Sequence, residues 1–253
     1  MADGQDPNVA TAAGFAQGQG YRRRIRIVPA PGEVVAVLED DIHCMAVRLR
    51  HDGEQVLAVE PVTDRMPWST CPGSAQVLID TFAGVPLQDV TARRERKRNC
   101  THLHDMAVLA AAHAADPEET RFAIAVSDPV GGRRELELRR NGMPVQRWVE
   151  QDDILVSPAG AAGRTLLTLR DWIATLPSDE AEEARLLQWA GLVAHGRTIP
   201  ADQQVEAVSL PANCYTLQPE RAQSAQRNGK IVDFNLTDRV PGEALARQLG
   251  LRG

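Results

Sequence analysis

The sequence predicts an α+β protein: a small antiparallel sheet covered by helices, followed by a second α+β unit. Three observations predict it. Val- and Ile-rich runs meet across the turn signal HDGE at residues 51–54, as the arms of a hairpin do. Two helical patterns punctuated by Pro and Gly follow, between residues 71 and 116. After residue 117 strand-like runs begin again, which argues for a second α+β unit or else an extension of the first sheet. The expected organisation is a leader over 1–20, a first domain over 21–116, and a second domain with a polar tail over 117–253.

In chain order, MADGQDPNVATAAGFAQGQG has neither a basic start nor an apolar run, and reads as a disordered leader rather than a signal peptide. YRRRIRIVPAPG alternates charge with Ile and breaks at Pro29–Gly32. Strands are expected near 34–39, 42–50 and 55–62. In the second of these, alternation puts His43, Met45, Val47 and Leu49 on one face and Cys44, Arg48 and Arg50 on the other. CPGSAQVLIDTFAGVPL reads as a helix with Cys71 as N-cap, Pro72 in the first position, Val77, Leu78 and Phe82 as its apolar stripe, and Gly84 as its stop. TARRERKRN is a charged, solvated connection. CTHLHDMAVLAAAHAAD is a second helix that buries Leu103, Met106, Ala107 and Ala110, with His102 and Asp105 on a neighbouring face and His104 towards solvent.

Beyond it, RFAIAVSD is strand-like, and RRELELRRNGMPVQRWVEQDDI is a hairpin around a type I′ turn at Asn141-Gly142. TLLTLRDWIATL reads as a helix. SDEAEEARLLQWAGLVAHG reads as another, with acids in its first turn and Gly196 after its last. EALARQLG is a short apolar element near the end.

Composition narrows the function classes. Hydrophobic residues make up 43% and charged residues 25% of 253, ordinary for a globular chain, while aromatics at 4% leave the cores to aliphatic residues. A net charge of -6 disfavours sequence-independent nucleic-acid binding, which needs many phosphate-neutralising cations. No apolar run approaches 18 residues, so no membrane-spanning helix is expected. Cys44, Cys71, Cys100 and Cys214 form no CxxC pair, and a cytoplasmic location with free thiols is expected. There is no glycine-rich phosphate loop and no dinucleotide fingerprint, so no nucleotide cofactor is expected.

The residues that could carry chemistry concentrate in the first domain. RKRNCTHLHD places a thiol, two imidazoles and a carboxylate within six residues, behind a basic run. Cys71 and Cys100 each open a helix, where partial positive charge favours the thiolate, the nucleophilic and metal-binding form. His102, one turn from Asp105, could be an oriented ligand or a general base. LEDDIH supplies Glu39, Asp40 and Asp41 between strands that disfavour Asp, and one or two of these acids could turn towards the thiols. His43 follows the core-face pattern and reads as a buried histidine with a satisfied ring. Arg65 could clamp an anionic group and Trp68 could wall a pocket. Cys214, Tyr215 and Arg221 in the tail read as packing residues.

Two resemblances follow from these motifs. DDIHCMAVRL, then CP, then NCTHL resemble an uncharacterised bacterial domain family of unknown function over roughly residues 22–115. The order of parts is also similar to the iron–sulfur cluster scaffold family (the NifU-like N-terminal fold). There EDD stands in the place of a C-G-D segment, and Cys71 and Cys100 in the places of two cysteines that open helices. That resemblance implies a small antiparallel sheet under helices, with Glu39, Asp41, Cys71 and Cys100 brought together. Glu39 stands where a cysteine belongs and Asn99 where a His does. Clusters prefer thiolates throughout, so the set suits a Zn or Fe ion better.

The expected function is an enzyme, a lyase or hydrolase acting on a small and anionic organic substrate. Cys71, Cys100, Glu39, Asp41 and His102 would be the metal ligands. Cys100, His102, Asp41 and Arg65 would carry the catalysis. The alternatives are a metal or iron–sulfur carrier and a non-catalytic partner subunit. A homo-oligomer or a complex with a partner enzyme fits either class.

Overall fold

The computed structural model describes residues 19–93, 95–199, 203–229 and 231–251. Most of the expected leader and Arg94 of the basic run lie outside these. The fold is α+β, and among the described residues the strands form one eight-stranded antiparallel sheet. Contacts divide the chain into two compact units: residues 25–120, 204–232 and 241–253 in one, and residues up to Arg24, 121–203 and 233–240 in the other.

The alternation of Ile and charge near the start resolves into β1 (Gly20–Ala30). Tyr21, Ile25 and Ile27 are buried, and so are Arg23 and Arg26. Burying a guanidinium requires partners. Arg26 finds them in a two-pronged bond to Glu119, at 2.7 and 2.9 Å.

The unit holding residues 25–120 continues with β2 (Glu33–Asp40), β3 (Cys44–His51) and β4 (Val56–Arg65), each within a few residues of its expected span. In β2 and β3, Leu38 pairs with Met45 and Glu39 with Cys44, which fixes which side chains share a face. Val35, Val37, Cys44 and Ala46 pack against Leu245 of the C-terminal helix α6 (Glu243–Gln248). Alternation sends Ala36, Leu38, Asp40, Met45 and Val47 to the opposite face. There α2 (Thr101–Ala112) lies on β2 and β3, and α1 (Ser74–Phe82) lies on β4. The first helix starts later than expected: Cys71–Gly73 form a 3-10 turn capped by Thr70, and the α-helix begins at Ser74. Cys100 is the N-cap of α2. His104, expected in solvent, is buried beside the Phe82 ring at 5.2 Å, because residue 104 falls on the α1 side of α2.

The other unit contains β5 (Thr120–Ser127), β6 (Arg133–Arg140), β7 (Met143–Gln151) and β8 (Ile154–Ser157). Asn141 and Gly142 both have positive φ, 49° and 83°, as a type I′ turn demands. The helix expected over TLLTLRDWIATL is only a 3-10 turn at Leu166–Thr168 and a single turn α3 (Arg170–Ile173). Thr168 explains it: its hydroxyl bonds the Thr165 N–H and carbonyl locally, offering the backbone an alternative to helix. The long helix α4 (Ser178–Arg197) runs through Gly196 and packs on β6 and β7. Gly191 lets it approach closely, since a Cβ there would meet Leu136 and Leu166 carbons at 2.8 and 2.7 Å.

The returning tail places α5 (Pro219–Ala222) and the segment before it with the first unit. The Tyr215 N–H bonds the Asn99 carbonyl at 2.8 Å, and Trp68 lies beneath the Arg227 guanidinium at 4.3 Å.

Candidate metal centre

The centre is built from one strand end, one turn and one helix start. Asp40 closes β2, His43 precedes β3, and His102 sits in the first turn of α2. All three are buried, at 0%, 6% and 8% exposure. A carboxylate oxygen of Asp40 and one ring nitrogen of each histidine lie within 4.8 Å of one another, the one such grouping of three or more His, Cys, Asp or Glu among the described residues.

Local chemistry makes this turn. The Asp40 Oδ1 accepts the Ile42 and His43 N–H groups at 2.8 and 2.6 Å, and the Asp40 N–H donates back to the His43 carbonyl at 2.8 Å. An Asp side chain that mimics a backbone turn in this way explains why acids interrupt two apolar strands. The His43 Nδ1 stands 3.1 and 3.3 Å from the two Asp40 oxygens. The His43 and His102 rings stack at 3.8 Å with 27° between their planes.

Geometry and charge favour a cation here. Zinc or iron bonds to N and O of about 2.0–2.2 Å put tetrahedral ligand atoms ~3.4 Å apart, so a contraction of little more than an ångström closes the set. Two imidazoles and one carboxylate are the donor set of many Zn and non-haem Fe sites, with positions left for water or substrate.

Of the expected ligands, only His102 is in this group. Glu39 is on the opposite strand face. Its Oε1 accepts from Arg65 at 3.1 Å and its Oε2 from the Gly242 N–H at 2.6 Å. Asp41 is buried in the turn, and its carbonyl accepts from the Val232 N–H at 2.8 Å. Arg65 does not reach outward for a substrate. Its Nη1 meets Glu39, and its Nη2 donates to the Asp40 and His43 carbonyls, the latter at 3.3 Å. Asp105 pairs with Arg96 at 2.6 Å and stands 3.3 Å from the His104 Nδ1, which ties the basic run to the helix.

The thiols are a second correction. Cys71 and Cys100 are both buried and close enough to interact electrostatically with each other and with Cys214, but neither joins the metal-ligand group. Burial pushes the Cys100 thiol up to about 12, outweighing the helix-start N–H bonds from Leu103 and His102. Burial also raises Cys71, against a hydrogen bond from the Thr216 hydroxyl at 3.3 Å. The helix start does act on Cys100 as expected, but desolvation is the larger effect. Both sulfurs are protonated thiols at neutral pH.

Asp40 and His43 are the residues passed over as ligands. The signal was present: His43 shares a strand face with Met45, and the Leu38–Met45 pairing carries that face to Asp40.

A buried two-histidine, one-carboxylate cluster between an antiparallel sheet and its covering helix is the class of site this fold defines. Residues 28–115, which contain all three side chains, match the model of a family described as a protein of unknown function (DUF2889). That segment is thus similar to an uncharacterised domain family. No curated protein matches the chain. No helix among the described residues is long and apolar enough to cross a membrane.

Proposed function

We propose that this protein is a metal-dependent enzyme, a lyase or hydrolase of a small organic substrate, with Zn or Fe held by Asp40, His43 and His102. The observation that supports it is the burial of a carboxylate and two stacked imidazoles with donor atoms within 4.8 Å. A metal held by Asp40, His43 and His102 would supply Lewis-acid chemistry, polarising a substrate oxygen or lowering the pKa of water. The protein's part is to keep both imidazoles oriented, to hold the Asp40 oxygen in place through the Ile42 and His43 N–H groups, and to exclude bulk water. Arg65 is committed to the turn, so the preference for an anionic substrate that it motivated is dropped. The four unpaired cysteines fit a reducing, cytoplasmic setting.

Metal analysis of the freshly purified protein tests this reading. Wild type should carry stoichiometric Zn or Fe, and Asp40→Ala and His102→Ala should lose it. Equal metal content in all three proteins would overturn the assignment. Retention of metal in Asp40→Ala with its loss in Cys71→Ala and Cys100→Ala would return the site to the thiols.

A further inference from the structure

The turn that carries Asp40 and His43 is braced from behind. Between β3 and β4 the register shifts by one residue, so that Cys44 faces Arg65 while Met45 faces Thr63. Such a bulge re-aims the side chain that follows it. Here it brings the Arg65 guanidinium to the turn, with its side chain only 9% exposed. One nitrogen, Nη2, donates to the main-chain carbonyls of both Asp40 and His43, and Nη1 meets the Glu39 Oε1 at 3.1 Å. The second Glu39 oxygen takes the Gly242 N–H at 2.6 Å. Gly242 caps α6 with φ +82°, a conformation L side chains rarely adopt. Leu245 of α6 packs on Val35, Val37, Cys44 and Ala46, and the Leu249 carbonyl accepts from Arg48 at 3.3 Å. A continuous path of hydrogen bonds therefore runs from the cap of the C-terminal helix, through Glu39 and Arg65, to the backbone of two of the three candidate ligands.

We propose that Arg65 is the positioning residue of the Asp40–His43–His102 centre, anchored through Glu39 to the C-terminal helix, so that the seating of α6 sets the affinity of the centre for a divalent cation. This inference rests on the metal reading above. Arg65 touches carbonyl oxygens rather than ligand atoms. It acts by fixing the distance between residues 40 and 43, and so the bite that Asp40 and His43 offer. A planar fork suits this role better than a point charge, because its nitrogens hold fixed directions towards a carboxylate and two carbonyls at once. α6 lies on the opposite sheet face from α2, so this is a control of the centre from a side that no substrate need touch.

Titration of the full-length, metal-free protein with Co(II), followed by its visible absorption and by competition with a chromophoric chelator, tests the proposal. Arg65→Met should weaken binding by about 10- to 100-fold, the range that residues supporting metal ligands command. It should also shift the Co(II) bands, while circular dichroism stays that of wild type. Arg65→Lys should recover part of the affinity. Leu245→Ala, remote from the centre, should weaken binding by about 2- to 30-fold, as coupling through a packed network does. Folded Arg65→Met and Leu245→Ala proteins with wild-type affinity and spectrum would overturn the proposal and leave the metal reading intact. If Arg65→Met fails to fold, wild-type affinity and bands in Arg65→Lys would overturn it in the same way. A wild-type protein that binds no Co(II), while His102→Ala behaves identically, would remove the centre itself.

Discussion

Beneath α2, Asp40, His43 and His102 bring a carboxylate and two imidazoles within 4.8 Å of one another. At the start of the same helix, Cys100 brings a thiol towards Cys71 and Cys214. Both places are buried, and both gather groups that bind metals. They differ in what offsets the loss of water. The Asp40 carboxylate has two backbone N–H donors, and each imidazole stacks on the other. Cys100 has backbone donors too, yet burial outweighs them and leaves it protonated. A helix start activates a thiol only while water still reaches it. A polar group whose own turn supplies its partners remains usable after burial.

Four predictions bear on this comparison. The largest effect falls on the ligands: Asp40→Ala or His43→Ala should abolish stoichiometric cation binding, whereas Cys71→Ala and Cys100→Ala should leave it unchanged, as metal analysis will read. Loss of metal in the cysteine variants would reverse the contrast between the two regions. Next is Glu39→Ala, which leaves Arg65 buried without its carboxylate and the Gly242 N–H without an acceptor. It should cost about 3–5 kcal/mol in urea unfolding, the range for breaking a buried ion pair. Glu39→Gln, which keeps an acceptor, should cost less.

The third concerns pH. Cys44 and Cys100 are raised from 9.0 to about 12 in the folded protein, Cys44 by burial and then by the charge of Glu39. Unfolded chains lose these protons first. The stability carried by the neutral thiols is therefore full below pH 9, and is lost as pH rises towards 12. Alkylation of the folded protein by iodoacetamide should stay slow from pH 7 to 9 and match the unfolded rate only after denaturation. Fast labelling of Cys100 at pH 7 would show a thiolate that the structure does not allow. The smallest effect is Thr216→Val. It removes the hydroxyl that bonds the Cys71 sulfur at 3.3 Å and should cost about 1 kcal/mol in thermal unfolding, with metal binding untouched.

Much of the fold was legible in the sequence because its signals are local. The spans of β2, β3 and β4 followed from short apolar runs and turn residues, and the Asn141-Gly142 turn from the need for positive φ at both positions. TLLTLRDWIATL misled because its apolar spacing suits a helix while the Thr165–Thr168 hydrogen bonds close a shorter turn. In the candidate site, His102 was singled out by its spacing from Asp105, although Asp105 pairs with Arg96 and His104. His43 was put on the right strand face and then read as core. Asp40 was passed over for its neighbours.

The sequence by itself determined that acids and a histidine would interrupt two strands, that His43 would share a face with Met45, and that Cys100 would begin a helix. Each of these depends on residues within a few positions, through the two-residue period of a strand or the cap of a helix. The tertiary structure decided which face α2 covers and which α6 covers, and so sent Asp40 inward to His102 and Glu39 outward to Arg65 and Gly242. It also decided that Cys71 and Cys100 would be buried. Register and burial are set by contacts between segments far apart in the chain, and a shift of one residue exchanges the two faces of a strand.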